Sequence, residues 1–521
     1  MNQLRLRHQP RRQVLTAVHY GWLALGILLL TVYGSLIPFQ FQPQPPAVAL
    51  NTFEERILSA NGQGSHSWVV SFLAGAKREA RGDWVLSGVL FLILSYLLMA
   101  AVCVDRPWLR GLKAALAVWL FCIALSVAVE FVQIYFEPRT VARIDIALAA
   151  LGALTGVVLW LSGGQRLTQW GRRLWSATGV SGLAARLLPG YLVLLLIVEL
   201  MPFDLLFSRA ELAVKYHEGK IWFVPFHYRP AETSILLAKT LWNMACFFPL
   251  GFLKVLVAGR ASWAARSWPR VFLMGLGFTT LVEFLQLFVY SRFFDTSDIV
   301  TGAVAVLLGW WLGVACQAYW QRDSSGSYSP ARDVGQQTAG LGRLAVGSGL
   351  LLGWLAVATY FNWQPFDFTA TPAHFAGDSE ETPAVGLSRM SWVPLVNYYW
   401  GSKYQAFEQV RMKMLSFVPL GVLAALCLRR QHGHGAGLLV LGAALVLALG
   451  FEIGQCFLPG RGADVTDVLI EGFGAWLGFA LTRQIRSVLG SGSATVETPE
   501  ALASRNGQAT NLAATLEAAR P

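Results

Sequence analysis

The stretch from residue 283 to residue 298 shows the polar pattern around which the whole chain is organised. It reads Glu-Phe-Leu-Gln-Leu-Phe-Val-Tyr-Ser-Arg-Phe-Phe-Asp-Thr-Ser-Asp. From Glu to Gln is three residues, from Gln to Arg is six, and from Arg to the last Asp is six. The same spacing recurs at residues 452–467 and at residues 130–145. Three copies with identical internal spacing indicate an internal repeat.

The repeated polar residues are the first candidates for a functional site. In chain order they are Glu130, Gln133, Arg139 and Asp145; Glu283, Gln286, Arg292, Asp295 and Asp298; and Glu452, Gln455, Arg461, Asp464 and Asp467. The first copy has Ala142 where the other two have the first Asp, so this copy is degenerate.

These charges stand out because the chain has few of them. Of its 521 residues, 55% are hydrophobic and 14% are charged, and the mean hydropathy is +0.49. A soluble protein carries about 25% charged residues. The composition therefore excludes an ordinary soluble enzyme, a disordered chain and a disulfide-stabilised secreted domain. It predicts an all-α integral membrane protein.

Hydropathy predicts about twelve transmembrane helices, because a helix needs about 20 mostly apolar residues to cross a bilayer. They begin near residues 16, 84, 114, 143, 187, 236, 270, 297, 343, 410, 435 and 464. Each copy of the pattern joins the third and fourth helices of a set of four. The prediction is thus three four-helix repeats, and an even number of helices makes them parallel.

The repeats divide the chain into five segments. We predict repeat 1 at residues 1–165, repeat 2 at 185–320, a cytoplasmic linker at 321–342, repeat 3 at 343–486 and a disordered cytoplasmic tail at 487–521. The tail is rich in Ala, Ser, Thr, Asn and Glu, a composition that is typical of disorder.

The distribution of Lys and Arg predicts the orientation in the membrane. The short connections that contain Arg106, Arg166, Arg260 and Arg429 are rich in basic residues, which favours the cytoplasm for them. Both termini are then cytoplasmic, and the three repeated hairpins lie at the outer face. The net charge of +11 is on this interpretation a topology signal, and no nucleic-acid partner is expected.

Two more elements recur in the second and first helices of the repeats. Residues 243–251 (Asn-Met-Ala-Cys-Phe-Phe-Pro-Leu-Gly) match residues 413–421, which begin with Lys413. A Pro-Phe pair ends each first helix, and a polar residue, Ser35, Glu199 or Asn362, precedes the Pro by three. Because a lone amide in an apolar run needs a partner, Asn243 is predicted to join the hairpin cluster, and Glu199 is a further candidate.

A glycine follows the last Asp of each copy by eleven residues. The three are Gly156, Gly309 and Gly478. Eleven residues are close to three helical turns, so the Gly lies below the Asp on one stripe of the helix. We expect it to let a neighbouring helix approach closely.

The chemistry of the repeated residues is open to several interpretations. They could simply tie a hairpin together, and Asp at a helix start could be a cap. Alternatively, the Arg could hold a phosphate or carboxylate head group. The pair Asp295 and Asp298 could serve as acid and base or hold a divalent cation. No His, Ser or Cys nucleophile recurs, and no cofactor or metal motif is expected.

Taken together, these motifs resemble the VanZ-like family of bacterial membrane proteins. The resemblance covers nearly the whole chain as three tandem copies, of which the second, from Pro202 to Gly309, is the fullest. The third has Lys413 at a position where the family has Asn, and the first lacks both that Asn and the following Pro. The resemblance implies the bacterial inner membrane and a context of resistance to the glycopeptide teicoplanin, but no reaction.

Three functions follow as hypotheses. The first is a protein of cell-envelope biology at the outer face of the membrane, whose partners are the bilayer and a lipid-linked cell-wall or polysaccharide precursor. The second is a membrane enzyme that acts on a lipid-linked phosphate or glycan. The third is a transporter, which is disfavoured because the repeated charges lie at helix ends rather than at the midplane.

Overall fold

The computed structural model describes residues 15–58, 78–106, 108–137, 141, 143–175, 180–226, 233–258, 267–324, 332–368, 390–399, 403–428, 435–458 and 461–491. Helices dominate these ranges, and strands are confined to four two-residue pieces.

Twelve helices overlap the segments predicted from hydropathy, and most begin a few residues earlier than predicted; the helix predicted near residue 343 begins at Arg332, within the predicted linker. The loop between the first and second helices of each repeat is called its outer loop, after the side of the membrane predicted for it. In repeat 1 the helices are α1 (Ala17–Leu36), α3 (Arg78–Cys103), α4 (Trp108–Gln133) and α5 (Arg143–Leu159), with α2 (Pro46–Leu58) in the outer loop and α6 (Gln165–Trp175) after a π-helical turn. In repeat 2 they are α7 (Val180–Leu200), α9 (Thr233–Ala258), α10 (Trp268–Gln286) and α11 (Thr296–Ser324), with α8 (Arg209–His217) in the outer loop. In repeat 3 they are α12 (Arg332–Trp363), α14 (Lys403–Cys427), α15 (Gly435–Gln455) and α16 (Val465–Ser491), with α13 (Val396–Tyr399) in the outer loop.

The described helices confirm the prediction of an all-α membrane protein with internal repeats. Within the described ranges, nine helices are long and apolar enough to cross a membrane, and the apolar segment Ser87–Cys103 is shorter. Large apolar side chains such as Leu439 and Val446 are each 73% exposed in the middle of α15. Continuous exposed apolar surface of this kind is stable only against lipid.

Each repeat has its own hydrophobic core, in which the second and fourth helices pack most extensively. The predicted glycines lie at these contacts. A Cβ atom added to one of them would collide with a backbone carbonyl oxygen of the second helix; the pairs are Gly156 with Leu92, Gly309 with Phe248, and Gly478 with Val418. The close approach expected from the sequence is therefore present in all three repeats.

Short strands attach the outer loops to the repeated hairpins. In repeat 2, β3 (Ile221–Trp222) pairs in parallel with β4 (Phe294–Asp295). In repeat 1, β1 (Gln40–Phe41) pairs in antiparallel fashion with β2 (Phe136–Glu137). In the described part of repeat 3, a parallel bridge joins Ser391 and Asp464. The start of the fourth helix is thus covered by the outer loop in repeats 2 and 3.

Repeat 3 contacts both of the other repeats. Its helix α14 packs against α3 of repeat 1, and its helix α16 touches α7 of repeat 2. The hydroxyl of Tyr33 donates a hydrogen bond to Pro394 O over 2.8 Å. On the other side, Arg292 Nη2 of repeat 2 lies 3.4 Å from Glu408 Oε1 of repeat 3.

Candidate functional site

The repeated Gln makes the same kind of contact in every repeat. It reaches back to the first helix and meets the polar residue that precedes the Pro-Phe pair by three. The hydrogen bonds run from Gln133 Nε2 to Ser35 O (3.0 Å), from Gln286 Nε2 to Glu199 O (3.0 Å) and Glu199 Oε2 (3.1 Å), and from Gln455 Nε2 to Asn362 Oδ1 (3.1 Å). The sequence singled out both partners but not their pairing.

The repeated Arg binds the C-terminal end of the first helix. In repeat 2, Arg292 donates from Nε to Met201 O (2.8 Å) and from Nη2 to Val198 O (2.7 Å). In repeat 3, Arg461 Nη2 donates to the carbonyls at the same two positions before the Pro, Phe361 O (3.4 Å) and Gln364 O (3.1 Å). A guanidinium at a helix C-terminus satisfies carbonyls that have no partner within the helix. Arg139 lies outside the described residues.

The repeated Glu and the first Asp organise the start of the fourth helix. Glu283 Oε2 accepts a hydrogen bond from Asp295 N over 3.0 Å. Asp295 Oδ1 in turn accepts from Ser297 N over 2.9 Å, which caps α11. Both carboxylates are buried, and the arrangement positions the last Asp one turn further along the helix.

The fourth helix of repeat 3, α16, begins with the same hydrogen bonds. Glu452 Oε2 accepts from Asp464 N over 2.9 Å, and Asp464 Oδ1 accepts from Thr466 N over 2.8 Å. In repeat 1, the described side chains Glu130 and Gln133 are buried, and Asp145 lies in the first turn of α5. The capping interpretation of the first Asp therefore describes its geometry in repeats 2 and 3.

A lysine of the second helix completes the cluster in repeat 2. Lys239 Nζ lies 2.6 Å from Asp295 Oδ2 and 3.1 Å from Asp298 Oδ2. Its side chain is 32% exposed. Sequence analysis missed Lys239, although it is a charged residue one helical turn before Asn243 and hence on the same face.

Asn243 lies beside this ion pair. Its Nδ2 donates to Asp298 O over 2.9 Å and to Thr301 Oγ1 over 2.7 Å. The structure therefore brings Asn243 to the last Asp of the hairpin. Glu199 reaches the same end of the bundle through Gln286, as described above.

In repeat 3, a lysine replaces the asparagine and collects more carboxylates. Lys413 Nζ lies 2.8 Å from Asp467 Oδ2, 3.4 Å from Glu452 Oε1 and 3.6 Å from Glu471 Oε1. The hydroxyl of Tyr398 donates a hydrogen bond to Asp467. Glu471 was missed by sequence analysis because it is not repeated; its signal is a lone acid four residues after Asp467 in an apolar helix.

Electrostatics at the two helix starts differ. Burial raises the pKa of the Asp295 carboxyl, but hydrogen bonds from Lys239 and Ser297 outweigh burial and hold this pKa below its ordinary value. Burial also raises the pKa of Asp464, and here the hydrogen bonds from Thr466 do not cancel the effect of burial. Lys239 therefore stabilises the ionised form of Asp295 in repeat 2, whereas the ionised form of Asp464 in repeat 3 is stabilised less.

The outer helix α8 is fastened to the hairpin of repeat 2 by a buried lysine. Lys215 is fully buried, and its Nζ donates to Gln286 O (2.7 Å), Leu287 O (3.1 Å) and Val289 O (2.6 Å). Nearby, Asp204 Oδ2 accepts from Ser291 N over 3.0 Å, and burial raises the pKa of Asp204. These contacts hold the loop against the hairpin.

Aromatic side chains surround the Lys239 cluster. The Lys239 ammonium lies 5.9 Å from the centroid of the Trp222 ring, which stacks on Phe293 at 5.2 Å. Phe223 is 64% exposed and Phe226 is 60% exposed at the same end. Such rings are typical of the boundary between lipid and water.

Among the described residues, no group of three or more His, Cys, Asp and Glu side chains has the arrangement of a metal site. In both clusters a lysine ammonium lies between the carboxylates. The site is thus a set of ion pairs with a partly exposed amine.

Comparison with known proteins identifies the repeats. A family model described as VanZ/LLP1 matches residues 19–164, 190–317 and 349–486, which is most of the chain. No curated protein and no solved structure matches the chain significantly. The three matched segments each contain one repeated hairpin with its Gln and Arg. The chain therefore belongs to the VanZ/LLP1 family and carries three tandem copies of that family's membrane domain.

Proposed function

We propose that this multi-pass membrane protein acts at the outer face of the bacterial cytoplasmic membrane, with both termini in the cytoplasm. There it binds the head group of a lipid-linked cell-wall or polysaccharide precursor. The observation that carries the proposal is the Lys239 ammonium, partly exposed and held between Asp295 and Asp298 at the end of a lipid-facing bundle.

The groups in this cluster match the parts of such a head group. An ammonium binds phosphate oxygens, and carboxylates such as Asp298, which is 18% exposed, accept hydrogen bonds from sugar hydroxyl groups. The Trp222 ring offers a flat apolar face with a polar edge. A phosphorylated glycan presents phosphate, hydroxyl groups and ring faces together, so it uses all three.

The apolar rim explains why the ligand is a lipid rather than a soluble sugar. Phe223 and Phe226 are exposed beside the cluster, and Val224 between them is 62% exposed. Apolar side chains in contact with lipid tails cost nothing, whereas in water they would be unfavourable. A ligand whose tail stays in the bilayer reaches the Lys239 cluster without leaving the membrane.

The proposal extends to antibiotic susceptibility. Glycopeptides and cell-wall precursors meet at the outer face of the membrane. A protein that holds such a precursor changes the amount that the antibiotic can reach. Expression of the protein is therefore expected to lower susceptibility to teicoplanin.

Capture of a defined lipid tests the proposal. The full-length protein in lipid nanodiscs is titrated with a fluorescent polyprenyl diphosphate that carries one sugar. We expect Lys239→Met to weaken binding at least about tenfold, because a lost charge-assisted bond to phosphate is worth roughly 1.5–3 kcal/mol. The matched control is Lys254→Met, which removes an exposed lysine from the other end of α9. Equal binding by the Lys239→Met and Lys254→Met proteins would contradict the proposal.

The same preparation separates binding from catalysis. Release of phosphate or of the sugar from the bound lipid over time would identify the second hypothesis, an enzyme, in place of a binding protein. Recovery of the intact lipid supports the binding role.

Orientation needs its own measurement. Glu218 lies after α8 on an exposed turn, so Glu218→Cys offers a site for a membrane-impermeant maleimide. Labelling of intact cells above the background of the unsubstituted protein supports an outer location. Labelling that appears only after lysis would place the clusters on the cytoplasmic side.

A further inference from the structure

Repeat 3 differs from repeat 2 at two positions that face each other. Lys413 stands where repeat 2 has Asn243, and Glu471, four residues after the last Asp, stands where repeat 2 has Gly302. The two side chains meet, with 3.6 Å between Lys413 Nζ and Glu471 Oε1. Repeat 3 thus has its lysine at residue 413, while Gln409 stands where repeat 2 has Lys239, and it has one additional acid.

The charges around Lys413 do not balance. Its ammonium lies within 3.6 Å of oxygens from Asp467, Glu452 and Glu471. The side chains of Glu452 and Glu471 are 0% exposed, and that of Asp467 is 9% exposed. If all three carboxylates were ionised, one ammonium would face three negative charges in a medium that solvates charge poorly. Buried charge without compensation is strongly unfavourable.

The hydrogen bonds show which carboxylate is least compensated. Asp467 accepts from Tyr398, and Glu452 accepts from Asp464 N. Glu471 is different, since within the described part of the chain neither of its oxygens has a hydrogen-bond partner. Glu471 follows the first residue of α16 by six residues, which places it about 9 Å along the helix at a rise of about 1.5 Å per residue. From there its side chain points at Lys413. A buried carboxylate in this position needs a positive charge of its own.

The groups that face Glu471 come from every element around it. Lys413 belongs to α14, Glu452 to α15 and Asp467 to α16 itself. Tyr398 of the outer loop reaches the same cluster through Asp467. The set contains three acids and one base, so it lacks positive charge.

We propose that repeat 3 contains a proton-binding site within the membrane, in which Glu471 binds the proton and Lys413, Glu452 and Asp467 hold the remaining charge in balance. The Lys413 side chain is 26% exposed, so the cluster is not sealed inside the bundle. A proton taken from the aqueous phase forms an O–H bond on a Glu471 oxygen, and on release it returns to the aqueous phase. The site requires no lipid ligand, so it goes beyond the proposed function and stands independently of it.

A proton is favoured over a metal ion by two features. The described residues contain no arrangement typical of a metal site. In addition, the Lys413 ammonium occupies the centre of the cluster, where a metal ion would be repelled. Repeats 2 and 3 therefore differ in kind: repeat 2 has a lysine shared by two aspartates, and repeat 3 has an acid that binds a proton.

Infrared difference spectroscopy on the full-length protein in nanodiscs tests the site. The C=O stretching band of a protonated carboxyl is followed at about pH 7, where an ordinary glutamate is ionised. We expect the unsubstituted protein to show the band and Glu471→Gln to lack one carboxyl equivalent of it. The control Glu218→Gln removes an exposed glutamate of the outer loop and leaves the band unchanged. Identical spectra of the Glu471→Gln and unsubstituted proteins would overturn the proposal.

A second variant keeps the test valid if Glu471→Gln does not fold. Gln409→Lys, Lys413→Asn and Glu471→Gly together install the three residues that repeat 2 has at these positions, Lys239, Asn243 and Gly302, so a fold compatible with them already exists in the chain. This triple variant keeps one lysine beside the remaining acids and is expected to lose the same carboxyl equivalent, and retention of the full band would argue against Glu471. Replacing potassium by sodium in the buffer is the last arm: an unchanged band supports a proton site, and a band displaced by sodium would overturn it in favour of a metal cation.

Discussion

The close packing of the second and fourth helices gives the sharpest test of the fold, through Gly309→Ala. A Cβ atom at residue 309 would overlap the carbonyl oxygen of Phe248 and come within 3.0 Å of both Phe248 C and Phe252 N. All three are backbone atoms of α9, so no side-chain rotation relieves the clash. Because carbon and oxygen normally stay at least about 3.3 Å apart, α9 and α11 have to separate by roughly 1 Å.

The cost follows from what that separation removes. A gap of about 0.5–1 Å forfeits a quarter to a half of the dispersion energy along the contact, and overpacking in cores typically costs about 1–3 kcal/mol. The gain from replacing Gly by Ala in a helix is at most about 1 kcal/mol. We therefore expect a net loss of about 1–2 kcal/mol. Lipid capture should also weaken, because Lys239 on α9 moves away from Asp298 on α11.

Thermal unfolding of the purified full-length protein in detergent measures the effect. The matched control is Gly277→Ala in α10, where an added Cβ meets nothing within 4 Å. Gly277→Ala should raise Tm slightly or leave it unchanged, whereas Gly309→Ala should lower it. A Gly309→Ala protein that melts at or above the Gly277→Ala protein would refute the packing argument.

The outer loop of repeat 2 yields two further predictions. Lys215→Met removes three hydrogen bonds that a buried ammonium donates to hairpin carbonyls, so we expect about 2–3 kcal/mol of lost local stability, seen as faster hydrogen exchange of the residue 286–291 amides. Lys220→Met, at the exposed Glu218 pair, should cost less than about 1 kcal/mol, and equal effects of the two substitutions would contradict the prediction. Burial raises the pKa of Asp204 above its unfolded value, so the stability that Asp204 contributes is present at acid pH and is lost as pH rises through the folded pKa. Tm should therefore fall over this pH range, and Asp204→Asn should make the fall smaller. An equal fall in the Asp204→Asn protein would contradict the prediction.

Much of the site was predictable because residues that recur in each repeat make the same contacts in each repeat. The spacing of Glu, Gln, Arg and Asp predicted three hairpins between third and fourth helices, and in every repeat the third helix ends at the Gln and the fourth begins shortly before the last Asp. The polar residue three before each Pro was singled out by the same repetition, and the Gln of each hairpin binds it. The glycine eleven residues after the last Asp was predicted from helical periodicity alone, and the helices do approach there.

Other contacts escaped prediction because they cross between helices without a repeated signal. Lys239 has no counterpart of the same type in the third repeat, where Gln409 stands at the matching position. Glu471 likewise occurs once. The role of the Arg was also open, since a guanidinium could have bound a ligand, yet Arg292 and Arg461 donate to the carbonyls of the first helix.

The sequence by itself determined that the chain lies in lipid, that it is helical and that it contains three repeats, each with one polar hairpin motif. Composition and periodicity are enough for this, because the cost of exposing charge to lipid and the 3.6-residue helical turn act locally along the chain. Only the tertiary structure decided which lysine faces which carboxylate. These pairings depend on the position along the helix axes at which two helices are in contact. That position is set by close contacts such as the one between Gly309 and Phe248, which join residues far apart in the chain.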